Sequence, residues 1–559
     1  MDQPKQTSSQ SSLWLRKAAM GLFVLLIAAA GTSAFLWSRN SSSSHAQAQS
    51  GGPDAGGAKQ KATKSADTTT APSPLVDGWP QPAFVLAITG QQHGYIEPCG
   101  CSPKQSGGLA RRADLFRQLR EVKKWPVLAM ETGGTLEDSR VTRHQSALKF
   151  NMILESLNGM GYRALGLGTE ELNLGALKLF EIFSERNVQE NYDMPFLAAN
   201  VVLLGSPELG TPKSFRILDV GGKKVAVTSV FGNEFQKELS QGILTDITIT
   251  DPLVALPPVI AAMQAAENGA KPDMLVLLSY DSVENSRALA QKFPEFDVVV
   301  SAAGADDPGN DHETIGKTLF FVSGMKGKYV NLIGFYPNEK AKVRFERVEL
   351  DQDRFGRDPK IRELMSQYQE LLKEEWLEPT SELRSFNFVH QSGLQFMGAK
   401  ACAECHASAY EVWEGSNHAH ATASLLDGRP EEKGTWIDRT YDPECLCCHA
   451  TGWNPEEAYH YKDGFIDLKT TPHLAGNQCE NCHGPGSEHV KLETDWKQAG
   501  GEMSEALTAS RSAVRVTKVQ AEKKVCLKCH DFANSPKFDF EEYWPQVEHP
   551  TPDSEKPAK

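Results

Sequence analysis

Nine of the eleven cysteines fall between Cys402 and Cys529, and eight of them repeat one pattern. The copies are Cys402-Ala-Glu-Cys405-His406, Cys445-Leu-Cys-Cys448-His449, Cys479-Glu-Asn-Cys482-His483 and Cys526-Leu-Lys-Cys529-His530. Two thiols three positions apart can reach the two vinyl groups of one porphyrin. The histidine that follows is then held beneath the iron as an axial ligand. Zinc ribbons also use C-x-x-C pairs but do not need a histidine directly after each pair. The pattern therefore predicts four covalently attached c-type haems. Cys447 has the wrong spacing for attachment and reads as an inert buried thiol.

Four porphyrins would supply apolar volume that side chains otherwise provide. Short helices and loops, rather than long regular elements, are expected over residues 396–550. Each iron also has a sixth position. A second histidine there makes a low-spin centre suited to electron transfer, whereas an open position admits a small ligand. Seven further histidines are available: His390, His418, His420, His460, His473, His489 and His549.

Two longer stretches narrow the choice. "FMGAKACAECHASAYEVWEGSNHAHA" (Phe396 to Ala421) and "CENCHGPGSEHV" (Cys479 to Val490) resemble the tetraheme cytochrome c family of ammonia oxidisers, cytochrome c-552/c-554-like electron acceptors of hydroxylamine oxidoreductase. The resemblance spans residues 396–550. It implies that His418 and His489 ligate, from the distal side, haems attached elsewhere. In that family one haem lacks a protein distal ligand.

Residues 81–350 read differently. "FVLAITG", "PVLAMET", "MLVLLSY" and "FDVVVSAAG" are short aliphatic runs ending in turn residues. They alternate with helical stretches such as "LARRADLFRQLREV" and "SALKFNMILESLNGM". This is an α/β pattern with buried strands. In landmark order it is similar to the calcineurin-like metallophosphoesterase fold, in its 5′-nucleotidase branch, which implies a metallophosphoesterase-like sandwich. "TGQQHGYIEP", "GGLARRADLFRQLR", "METGGTLED", "MGYRALGLGTEELNLG" and "GKTLFFVSGMKGKYVNLI" carry that resemblance.

The family's metal ligands do not carry over. Gln91 and Gly134 stand at its aspartate positions, Thr169-Glu170 at its Asn-His, and Tyr280 at a histidine. "VSAAGADD" lacks its Gly-His-x-His pair. The domain is expected to be catalytically inactive. His93, Glu131, Glu170 and Glu171 remain and either hold a single metal or serve as polar residues at strand ends. Cys99 and Cys101, in "EPCGCSPKQSGG", stay open between a metal-binding, a redox-active and a structural pair. Arg111-Arg112 either faces an anion or lies on a solvated helix face. Between the two regions, Ile361, Leu364, Met365, Tyr368, Leu371, Leu372 and Trp376 recur at helical spacing within residues 351–395. They predict an amphipathic helix bracing both.

Ala18 to Trp37 is an uncharged stretch of about 30 Å as a helix, preceded by Arg16 and Lys17. It reads as a transmembrane anchor or uncleaved signal, with residues 1–17 cytoplasmic. A cleaved signal peptide with a site at "HAQA" is the alternative. Residues 38–80 form a Ser/Gly/Ala-rich tether and 551–559 a polar tail. The expected location is the cell inner membrane, single-pass, with the bulk of the chain in the periplasm. A net charge of −14 argues against a nucleic-acid partner. The partners expected are redox proteins of the periplasm or membrane. Together these features predict a membrane-anchored tetraheme electron carrier with an inactive phosphoesterase-like domain for docking or positioning. The alternative is a multihaem oxidoreductase acting on a small nitrogen or sulfur compound at a five-coordinate haem.

Overall fold

The computed structural model describes residues 74–549, apart from 99–104, 138–140, 142, 240–241, 266–270, 385–387, 429–433 and 532–533. The Ala18–Trp37 stretch, Cys99 and Cys101 lie outside the described residues. Among the described residues, no helix is long and apolar enough to cross a membrane.

Two six-stranded sheets face each other. The first runs, edge to edge, Val343–Glu349, Tyr329–Phe335, Phe84–Thr89, Val127–Glu131, Tyr162–Gly166 and Phe196–Leu197. Its four strands from Phe84 onward are parallel; the two late strands join antiparallel. The second runs Glu313–Ile315, Thr318–Val322, Val298–Ser301, Met274–Tyr280, Lys223–Phe231 and Phe215–Val220. The strands begin and end within three residues of the aliphatic runs, because those runs are buried on both faces.

The two-residue period of a strand decides what each side chain meets. Phe84, Leu86 and Ile88 point between the sheets, against Val225, Val276 and Val300. Val85 and Ala87 point outward, against the Leu109–Arg117 and Arg143–Gly159 helices. A second outer layer, built on Leu256, Ile260 and Leu289, covers the other sheet. The result is a four-layer sandwich.

The Pro359–Leu377 helix forms as the apolar spacing requires. Asp358 caps its first turn by accepting from Lys360 N and Ile361 N. Ile361, Met365, Tyr368, Leu372 and Trp376 are buried. Its early turns pack on the sandwich helices. Its last turn stacks Trp376 on Trp453, with ring centroids 5.6 Å apart, and donates from Trp376 Nε1 to Ile466 O at 3.1 Å. One apolar cluster therefore runs from Val85 through this helix to Leu446 and Phe465.

Beyond residue 396 the helices are short, from three to thirteen residues. Among the described residues from 484 to 549, the buried apolar side chains are Leu507 and Ala521. A stretch of that length cannot hold its shape on so little buried surface of its own.

Candidate haem-binding site

Three of the four attachment motifs follow a local stop, whereas Cys526 continues the helical run from Lys518. Asp442 caps the Pro443–His449 helix, with Pro443 in its first turn. Gly398 precedes the Ala399–Ala403 turn, and Gln478 heads the Cys479–His483 helix. The motifs abut one another. Cys402 and Cys479 are in hydrogen-bond contact. Cys482 lies within electrostatic reach of Cys526, and Cys447 within reach of Cys529.

The histidines organise into facing pairs. His406 and His489 have ring centroids 6.3 Å apart with planes 24° from parallel. His418 faces His530 at 6.1 Å, and His483 faces His549 at 5.9 Å. A metal–imidazole bond is about 2.0–2.1 Å and the ring centre lies about 1 Å farther, so two imidazoles on opposite sides of one iron have centroids about 6 Å apart. Three of the four motif histidines thus stand opposite a second histidine at the separation that bis-histidine ligation needs. The residues fit the group. Among the described residues, His449 has no such partner.

Hydrogen bonds orient the rings. His449 Nδ1 donates to Ala421 O and His483 Nδ1 to Val514 O, each at 2.7 Å. A carbonyl only accepts, so the proton sits on Nδ1 and the Nε2 lone pair is left for a metal. His530 and His489 place Nδ1 against Ser535 Oγ at 3.1 Å and Ser510 Oγ at 3.4 Å. Burial holds the pKa of His418 down at about 4, helped by His530 and His449, and lowers those of His483, His489 and His530. These imidazoles are therefore neutral at pH 7, the form that ligates.

The remaining histidines are used otherwise. His460 is buried between Trp376 and Trp453, with Nδ1 on Tyr461 O at 3.0 Å. His390 bonds Ser392 Oγ at 2.8 Å beside Phe396 and Tyr461. His473 supplies a carbonyl to Gln478, and His420 stands at the N-terminus of the Ala421–Asp427 helix. Cys447 is buried, and its thiol donates to Glu444 O at 3.2 Å. His549 is a pairing residue that spacing alone did not single out.

The sandwich cleft at the ends of the first sheet's parallel strands is closed by its own charges. Arg112 is fully buried, which corrects the expectation of a solvated helix face. Its Nη1 lies 3.6 Å from Glu131 Oε2 and donates to Tyr162 OH at 3.3 Å. Arg111 is buried too, donating to the carbonyls of Gln105 and Leu350. Burial pushes Glu131 up to about 7, against the pull of Arg112 and of the Thr89 hydroxyl at 2.6 Å. His93 Nδ1 lies 3.3 Å from Glu170 Oε1, and Tyr280 OH donates to Glu170 Oε2 at 2.9 Å. Burial would raise the Glu170 pKa, but His93, together with a backbone hydrogen bond and the Tyr280 hydroxyl, more than offsets it. Glu171 accepts from the backbone of Gly134 and Gly168. A side chain at Gly134 would collide with Gln91 at 2.5 Å, so the two positions are matched. Among the described residues, no group of three or more His, Cys, Asp or Glu is arranged to hold a metal ion.

Residues 401–484 match the family described as cytochrome c554 and c-prime. Cytochrome c-554 of Nitrosomonas europaea is 30% identical over 115 residues, covering 19% of this chain and 46% of that protein. The multiheme cytochrome MtrA of Shewanella baltica is 30% identical over 122 residues, covering 20% of this chain and 33% of that protein. The chain thus spans less than half the length of either relative. The structure is similar to that of a 5′-nucleotidase precursor from Thermus thermophilus, with a TM-score of 0.43 and 17% identity over 53% of this chain and 60% of that one. The C-terminal region of this protein carries a cytochrome c554 domain.

Proposed function

We propose that the protein is a multihaem c-type cytochrome that carries electrons through four haems, attached at Cys402/Cys405, Cys445/Cys448, Cys479/Cys482 and Cys526/Cys529. The observation that supports this most is the set of three facing histidine pairs at 5.9–6.3 Å. In this reading His406 with His489, His483 with His549, and His530 with His418 hold three irons, and His449 holds the fourth alone. A bound c-type haem supplies a one-electron couple whose potential its axial ligands set. The chain's part is to fix His449 and His483 in their ligating tautomer, to lower the pKa of His418, His483, His489 and His530 by burial, and to bring the four motifs into contact. The first motif touches the third, the third reaches the fourth, and the fourth reaches the second.

The sandwich domain, in this proposal, is catalytically inactive. Gln91, Gly134, Thr169 and Tyr280 occupy the positions where the resembled phosphoesterases have metal ligands, and Arg112 adds a fixed positive charge beside Glu131. The Ala18–Trp37 stretch anchors the chain in the inner membrane with its bulk in the periplasm, where it meets redox partner proteins.

The test is the oxidised full-length protein, assayed for haem content and by EPR. Four haems per chain, three low-spin irons and one high-spin iron are expected. Fewer than four haems, or more than one high-spin iron, would overturn the assignment. One specific observation favours a second reading. Among the described residues His449 has no opposed histidine, so its centre is where a small nitrogen or sulfur compound would bind and react. Titration of the high-spin signal with nitrite, hydroxylamine and sulfite distinguishes an oxidoreductase from a carrier.

A further inference from the structure

The Cys445–His449 helix is held by side chains of the sandwich, whose contact near the fourth motif, Gln105 Nε2 donating to Asn534 O at 2.9 Å, falls outside that motif. Asp442 caps its helix, accepting from Glu444 N at 3.1 Å. Its two carboxylate oxygens also accept from Gln145 Nε2 at 2.8 Å and Gln369 Nε2 at 2.7 Å. Lys149, with a side chain 5% exposed, donates to Glu444 Oε2 at 2.5 Å. Gln145 and Lys149 are four residues apart on the Arg143–Gly159 helix of the sandwich, so one face of that helix holds both carboxylates. A third grip comes from Glu97, which accepts from Arg439 Nη2 at 2.5 Å. Burial would raise the Glu97 pKa, but Arg439, Arg357 and Arg362 more than offset it and keep it ionised. Leu446 and Cys447, between the attachment cysteines, are buried, whereas Leu527 in the fourth motif is 47% exposed.

This is also the motif whose histidine, among the described residues, has no opposed histidine ring. A bis-histidine pair is fixed from both sides. At His449 one imidazole, oriented by Ala421 O, sets the geometry alone, and the helix that carries it must be held from outside. We propose that Lys149 and Gln145 of the sandwich are positioning residues for the His449 centre. The sandwich, no longer a phosphoesterase, serves as the outer frame of the one haem open to a small ligand. This inference rests on the proposed ligation, in which His449 holds an iron alone.

The experiment uses the full-length, haem-loaded protein and two variants. Lys149→Met/Glu444→Leu replaces the ion pair by apolar groups of similar size, a change that buried pairs tolerate in stability. Gln145→Leu removes one neutral grip. EPR and cyanide titration are read on each. The expected result is a changed high-spin line shape and a cyanide affinity altered roughly tenfold, the usual effect of losing an outer-sphere partner. The three low-spin signals should stay as they are. Lys223→Met, which breaks the Lys223–Asp273 pair on the sandwich, should change nothing. If the double variant loses low-spin and high-spin signals together, it has lost its fold, and Gln145→Leu decides. A high-spin signal and cyanide affinity within twofold of wild type in a folded variant would overturn the inference. A wild-type protein with no high-spin iron would instead overturn the ligation on which it rests.

Discussion

Replacing Lys149 by methionine alone tests the junction at its most exposed cost. The side chains of Lys149 and Glu444 are 5% and 26% exposed and meet at 2.5 Å. Removing one partner of a buried pair typically costs about 3–5 kcal/mol, because the other charge stays desolvated. Glu444 keeps a quarter of its side chain in water, which places the cost near the lower end, about 3 kcal/mol. The pH dependence has a definite sign. Burial already pushes Glu444 up to about 7 with Lys149 and its attraction in place. Without the lysine it rises further. A carboxyl whose folded pKa exceeds the unfolded value near 4.5 loses stability as pH climbs above that value. The deficit of Lys149→Met should therefore be largest at pH 7–8 and shrink toward pH 4, where Glu444 is neutral in both states. Urea unfolding followed by tryptophan fluorescence at a series of pH values measures it. A deficit below about 1 kcal/mol at pH 7, or one that grows toward acid, would refute the reasoning.

Two further outcomes follow from the geometry. His489→Ala removes the ring facing His406 at 6.3 Å, so oxidised protein should show two high-spin irons instead of one and bind two cyanides per chain. Glu131→Gln should flatten the stability profile between about pH 4.5 and 7. Over that window the folded state of the parent holds a proton the unfolded state has released, so the parent loses stability as pH rises, by about 3 kcal/mol at ~1.4 kcal/mol per unit. Chemical denaturation of both proteins across that range reads the difference in slope.

Much of this molecule is written locally. The four C-x-x-C-H motifs specify the attachment chemistry because thiol spacing and the following histidine are properties of five consecutive residues. The buried strands and the apolar stripe of the Pro359–Leu377 helix are legible for the same reason, since period and burial go together over a few turns. What the chain alone leaves open is what depends on residues far apart in it. Nothing near His549 marks it as the ring that faces His483, and nothing near His449 says that it faces none among the described residues. Arg111 and Arg112 look like a solvated helix face. They are buried because the carbonyls of Gln105 and Leu350, the Tyr162 hydroxyl and the Glu131 carboxylate converge on them from other elements. Lys149 and Gln145 are two polar residues on an ordinary helix until Glu444 and Asp442 are folded against them. Sequence determines which atoms can bond to a haem. Tertiary structure decides which histidines face one another and which charges lie against the Cys445–His449 helix, because both depend on distances between groups that the backbone brings together only when the whole chain has packed.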